Sequence, residues 1–143
     1  MLSLASSLAL VAALPTAVLS QFVSPPTDLT SVPGTGPLNI PLRYKQVPNG
    51  ICEMNSSVAS YSGYVDVAQD QHMFFWFFEA RNVDPATAPL TVWIDGGPGA
   101  SSMIGVFTET GPCRIDVDNV LRDNPYSWTN VSSCFRTAMV PAC

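Results

Sequence analysis

The run Trp93-Ile94-Asp95-Gly96-Gly97-Pro98-Gly99-Ala100-Ser101-Ser102 sets a carboxylate, three glycines and two hydroxyls directly behind a β-type apolar segment, Leu90 to Ile94. Glycine frees the backbone to turn its N–H groups toward a bound atom, and N–H donors aimed at a developing negative charge are what stabilises an oxyanion. This spacing therefore suits anion binding by main-chain amides, and the reacting or binding atoms are expected against this loop. Ser101 and Ser102 do not read as nucleophiles, because neither lies in a G-x-S-x-G elbow. They suit the start of a short helix over 101–108 instead, with one of them as its cap. His72 is the single histidine of the chain and reads as structural. No second catalytic motif follows the loop before Cys143.

The elements that must position this loop come before it. Residues 21–41 are rich in Pro, Ser, Thr and Gly and read as an extended arm across the surface. Tyr61 to Val67 is β-rich, Gln69-Asp70-Gln71 is a turn, and His72 to Arg81 is a second strand, so the pair reads as an antiparallel hairpin. Met73-Phe74-Phe75-Trp76-Phe77-Phe78 does not alternate, which implies that both faces of that strand are covered. Burial habits make this run core rather than a carbohydrate platform. Leu90 to Ile94 reads as a third, central strand, and Asn124-Pro125-Tyr126-Ser127-Trp128 as a turn followed by a packing aromatic. Two strands, then a strand ending in a glycine loop, is the opening of an α/β domain.

Composition narrows the class. Residues 1–20 carry no charged side chain and end in Val18-Leu19-Ser20, a pattern that suits a cleaved signal peptide. The stretch is interrupted by Pro15 and followed by Pro25-Pro26, which suits a bilayer span poorly. A net charge of −5, with six Lys and Arg spread singly, excludes a nucleic-acid surface. Four cysteines, Cys52, Cys113, Cys134 and Cys143, fit an oxidising compartment, and none has the C-x-x-C spacing of a zinc or redox site. Three pairings are open; Cys52–Cys113 is favoured because both flank well-patterned segments, and its closed loop is worth about 4 kcal/mol. Asn55-Ser56-Ser57 and Asn130-Val131-Ser132 are glycosylation sequons, so Asn55 and Asn130 are candidate sites.

The stretch Trp93 to Pro112 resembles the oxyanion-loop signature of the secreted serine carboxypeptidases. The likeness extends through Arg43-Tyr44-Lys45-Gln46-Val47-Pro48, Gly50-Ile51-Cys52-Glu53, Ser62 to Val67, the aromatic segment ending Glu79-Ala80-Arg81, and Asn124 to Trp128, and covers about Gln21 to Ser132. The resemblance implies the N-terminal portion of an α/β-hydrolase fold: the first antiparallel hairpin, the third strand and its oxyanion loop, in an incomplete sheet. It implies that the Gly97 N–H is one oxyanion donor, and that Asp95, Gly96 and Glu109 bind the free carboxylate at a peptide's C-terminus. No metal or organic cofactor is implied, the partner is a peptide or protein C-terminus, and the product is secreted, with no membrane contact once the signal is cleaved. Nothing in the sequence sets the oligomeric state.

Three departures from the family pattern matter. Asp95 stands where the family has Asn, and an ionised carboxylate repels the carboxylate to be bound; weaker or more acid-shifted binding is expected. Ala100 replaces a Cys or Ser. Finally, residues 133–143 form a divergent tail where the family continues into an apolar strand and a G-x-S-x-G elbow. The domain reading is thus a signal over 1–20, the N-terminal part of a serine carboxypeptidase domain over 21–132, and this tail. Arg136 makes the tail a poor central strand, so the strand at Leu90–Ile94 is expected to lack partners. Without nucleophile, His or Asp of a triad, the chain is expected to be inactive on its own. The alternatives are a non-catalytic paralogue that binds peptide C-termini, or one chain of a two-chain α/β-hydrolase.

Overall fold

The computed structural model describes residues 26–95 and 100–138. The signal-peptide reading of 1–20, Gly96, Gly97 and Cys143 therefore lie outside the described residues. A six-stranded sheet carries the fold, ordered β1-β2-β3-β4-β8-β5. Its strands are β1 (Thr30–Val32), β2 (Leu42–Gln46), β3 (Ser60–Ala68), β4 (Gln71–Phe78), β5 (Leu90–Trp93) and β8 (Ser133–Ala138). Helix α1 (Met103–Thr108) and a two-stranded sheet of β6 (Cys113–Ile115) and β7 (Leu121–Asp123) lie between β5 and β8 in the chain. The surface arm thus contributes a short strand, β1, paired antiparallel with β2.

The hairpin forms where the sequence places it, but its second strand begins at Gln71, read as turn, and ends at Phe78 rather than at Arg81. β3 and β4 pair antiparallel from Ser60↔Phe78 to Ala68↔Gln71, with a register shift between Asp66 and Ala68. The aromatic run is less uniformly buried than its composition suggests: Phe75 and Phe78 are buried, and Met73, Phe74, Trp76 and Phe77 are half-buried. Phe75 and Phe77 line an open hollow of about 360 Å³ with Leu42, Tyr44, Tyr61 and Phe135. On the other face Phe78 joins Cys52, Val106 and Cys113 in the core, flanked by Trp76, Met103, Phe107 and Leu121.

The positions of β5 and β8 reverse the sequence expectation. Segment 133–138, read as a poor central strand, lies between β4 and β5, antiparallel to the first and parallel to the second. The strand read as central, β5, sits at the sheet's end, where Leu90, Val92 and Ile94 are 64%, 54% and 60% exposed. The reason is a period of two that survives in β8. Phe135 stacks on Phe75 with ring centroids 4.9 Å apart, while Cys134 and Arg136 are buried on the opposite face. β5 therefore has a main-chain partner along one side, contrary to the expectation that it would have none.

Two cross-links hold the loops to the sheet. Cys52 and Cys113 form the favoured disulfide, 61 residues apart in sequence. Beside it, Arg81 is a buried hub. Its Nε donates to Glu53 Oε2 at 2.9 Å, Nη1 to the Asn124 carbonyl at 3.1 Å, and Nη2 to the Pro112 carbonyl at 2.8 Å and to Asp123 Oδ1 at 2.7 Å. Glu53 is 2% exposed, and Arg81 is its ion-pair partner. Arg81→Met strands that carboxylate and is expected to cost about 3–5 kcal/mol, read as a lower urea midpoint at unchanged slope. An unchanged midpoint contradicts this role.

At the outer end of the hairpin, Asp66 accepts two hydrogen bonds from Arg43, at 2.7 and 2.6 Å, and lies 2.6 Å from His72 Nδ1. The histidine read as structural has an acidic partner, supplied by the cross-strand pair Asp66↔His72. The Arg43 hydrogen bonds, and to a lesser degree that of His72, hold the Asp66 carboxyl below the usual carboxylate range. A depressed folded-state value means stability that is present above the unfolded value of about 3.9 and lost as pH falls through the folded one. Asp66→Asn is accordingly expected to lose stability at neutral pH and to show a shallower acid limb below about pH 4 in thermal melts. Parallel acid limbs would contradict the assignment.

Candidate active site around Asp95 and helix α1

β5 delivers Asp95 to the edge of the glycine run, and three groups fix it there. The Asp95 N–H donates to Ser102 Oγ at 2.9 Å, the Trp93 indole Nε1–H donates to Asp95 Oδ1 at 2.7 Å, and the Gly105 N–H donates to Asp95 Oδ2 at 3.1 Å. Both carboxylate oxygens are thus already engaged by neutral N–H donors, and the side chain is held in one orientation. Ser102 is buried and is the N-cap residue of α1, but its hydroxyl does not cap the helix; it serves the Asp95 backbone. Ser101 Oγ accepts from the Met103 N–H at 3.3 Å. Of the two serines expected to cap the helix, Ser102 holds the N-cap position and Ser101 supplies the hydroxyl that meets the first helical N–H.

Glu109 lies at the other end of α1, as its C-cap residue, with an exposed side chain. Its N–H and that of Thr110 both donate to the Gly105 carbonyl at 3.2 Å, closing the helix. The following turn is pinned by the buried Asn124, whose Nδ2 donates to the carbonyls of Glu109 at 3.1 Å and Gly111 at 2.8 Å. The Asn124-to-Trp128 segment thus fixes where Glu109 sits. Trp128 packs edge-on against Trp93, with centroids 5.0 Å apart.

One residue of this region escaped the sequence reading. Arg136 of β8 is fully buried on the face that carries α1, with its guanidinium carbon 5.3 Å from the centre of the Trp93 ring and its Nη2 donating to Thr110 Oγ1 at 2.6 Å. Burial pushes its pKa down, while Cys134, Asp95 and Glu109 push it up. A charged residue at an inward position of a strand was the available signal, and it was read as evidence against the strand itself.

Of the remaining candidates, Asn55 is exposed, its Oδ1 accepting from the Ser57 N–H and hydroxyl at 3.0 and 2.7 Å. Asn130 is half-buried and its Nδ2 donates to the Pro125 carbonyl at 2.7 Å. Cys134 is a buried free thiol. Among the described residues no group of three or more His, Cys, Asp and Glu side chains is gathered as a metal ion would need. No described helix is long and apolar enough to cross a membrane.

The serine carboxypeptidase family, peptidase S10, matches residues 48–135. The chain belongs to this family. It is 41% identical over 140 residues to carboxypeptidase S1 homolog A of Arthroderma otae, covering 89% of this chain and 21% of that protein. It is 50% identical over 86 residues to carboxypeptidase S1 of Penicillium janthinellum, covering 59% of this chain and 20% of that one. Among solved structures, a prohormone-processing carboxypeptidase from Saccharomyces cerevisiae is 28% identical, with a TM-score of 0.44 over 73% of this chain and 21% of that one. The chain spans about a fifth of the length of these relatives.

The packing of α1 on Asp95 gives a direct test of the site's geometry. A Cβ at Gly105 would lie 2.8 Å from Asp95 Oδ2 and 2.9 Å from Trp93 Nε1, closer than real contacts allow. Gly105→Ala is expected to push the carboxylate off the indole and to cost about 1–3 kcal/mol. The Trp93 side-chain N–H resonance in heteronuclear NMR should shift toward the solvent-exposed range; a resonance left in place contradicts the Trp93–Asp95 bond.

Proposed function

We propose that this chain is the amino-terminal part of a secreted serine carboxypeptidase of the α/β-hydrolase fold, and that Asp95, Gly96 and Glu109 receive the free carboxylate of a peptide substrate. The observation that carries this reading is the fixed Asp95 carboxylate at the end of β5, immediately before the glycine run, in a chain of the serine carboxypeptidase family. The Gly97 N–H is the proposed oxyanion donor, and losing such a donor costs about 3–4 kcal/mol of transition-state stabilisation. Hydrolysis by the triad route also needs a nucleophilic Ser, a His that takes its proton and an Asp that orients the His. Residues 1–143 hold no G-x-S-x-G elbow, and the single histidine is engaged with Asp66 at the far end of the hairpin. The activity proposed for residues of this portion is recognition of the peptide's C-terminus.

Secretion is supported by the uncharged apolar leader, the disulfide and the exposed sequon at Asn55. The test of the reading is a calorimetric titration of the purified chain with an N-acetylated dipeptide, once as the free acid and once as the C-terminal amide. The acid is expected to bind about tenfold more tightly, as charge-assisted recognition of a carboxylate requires. Equal affinities would end the proposal.

A further inference from the structure

Charge balance at the site is unusual. The proposed site uses two carboxylates, Asp95 and Glu109, to receive a third, that of the ligand. Asp95 has no cation within hydrogen-bonding distance among the described residues, because its oxygens accept from an indole and a main-chain amide. Arg136 presents the complementary anomaly. It is fully buried, yet its Nε and Nη1 have no hydrogen-bond partner among the described residues. A buried charge without compensation is strongly unfavourable, whereas Coulomb attraction in a low-dielectric interior extends well past hydrogen-bonding range.

The groups in contact with Arg136 are the Trp93 ring from β5 and the Thr110 hydroxyl from the turn after α1, and the charges of Cys134, Asp95 and Glu109 favour its cationic form. Trp93 lies between the cation and Asp95, offering its ring face to Arg136 and its Nε1–H to Asp95 Oδ1. A cation over an indole face draws on the ring's electron density and strengthens the N–H as a donor. Thr110 holds the guanidinium in place through Nη2.

We propose that Arg136 is the counter-charge of Asp95, a positioning residue whose field, relayed across Trp93, lets the site accept a ligand carboxylate at neutral pH despite Asp95. The proposal rests on the peptide-carboxylate reading above. It replaces the acid-shifted binding expected from Asp95 alone with binding that persists as the carboxyls ionise.

The ratio of affinities for the acetylated dipeptide acid and its amide isolates charge from shape. In the unaltered chain the acid is favoured at pH 7. Arg136→Met should lower that ratio about tenfold while changing amide affinity less than about twofold, and Arg136→Lys should keep most of the ratio. If Arg136→Met leaves the ratio intact, or weakens acid and amide alike, the counter-charge role is wrong and the carboxylate reading survives. If the unaltered chain shows no preference for the acid at any pH, both readings fall together. Should the variants fail to fold, the unaltered chain's own pH profile decides. Acid affinity level within about threefold from pH 4 to pH 7 supports the proposal, and a fall of about tenfold or more over that range, where Asp and Glu ionise, overturns it.

Discussion

Everything near the site depends on the insertion of β8 between β4 and β5. Those two strands do not touch each other; each is paired only through Ser133–Ala138 on that side. The parallel register Leu90↔Ser133 to Trp93↔Arg136 aims β5 so that its end presents Asp95 to α1, and it sets Arg136 level with Trp93. The same strand supplies the Phe135 ring that stacks on Phe75. One backbone ladder therefore aligns the hairpin, the glycine-loop strand and the buried cation.

Opposite it, the disulfide and the Arg81 hub do for the loops what β8 does for the strands. Arg81 spans the Glu53 turn, the Pro112 turn, β7 and the Asn124 turn, and the Cys52–Cys113 bridge closes the same gap beside Phe78 and Val106. These segments contribute little regular secondary structure of their own. Their main-chain carbonyls need donors once buried, and a single guanidinium with five N–H groups satisfies two of them while pairing with two carboxylates. The turn carrying Glu109 hangs from the same framework through Asn124.

The sequence was informative where local chemistry decides. The two strands of the hairpin and the helix after the glycine run could be read from β-propensity and capping residues, and the Cys52–Cys113 pair was favoured among three by the patterned segments beside it. It misled where a tertiary partner decides. Leu90 to Ile94 is apolar but for Thr91, which suggests a strand covered on both sides, but apolarity does not say which edge finds a partner. Arg136 argued against a central strand because an isolated buried charge is costly, and a sequence cannot show that the Trp93 ring and the Thr110 hydroxyl meet it. Asp66 and His72 were likewise invisible as a pair until the register shift in the hairpin placed them side by side.

The strand order also fixes a sequence of events. β1 to β4 form a meander of neighbouring antiparallel strands, which local turns can assemble as soon as Phe78 is made. β5 cannot join them then, because its place is defined only by a strand that begins at Ser133. Pairing Phe78 with Cys134 closes a long stretch of chain, and contacts so distant in sequence form late, after the entropy of loop closure has been met. Strand β5 and the carboxylate of Asp95 are consequently among the last parts of the molecule to take shape, during which the apolar edge of β4 stands open to any other strand in the vicinity.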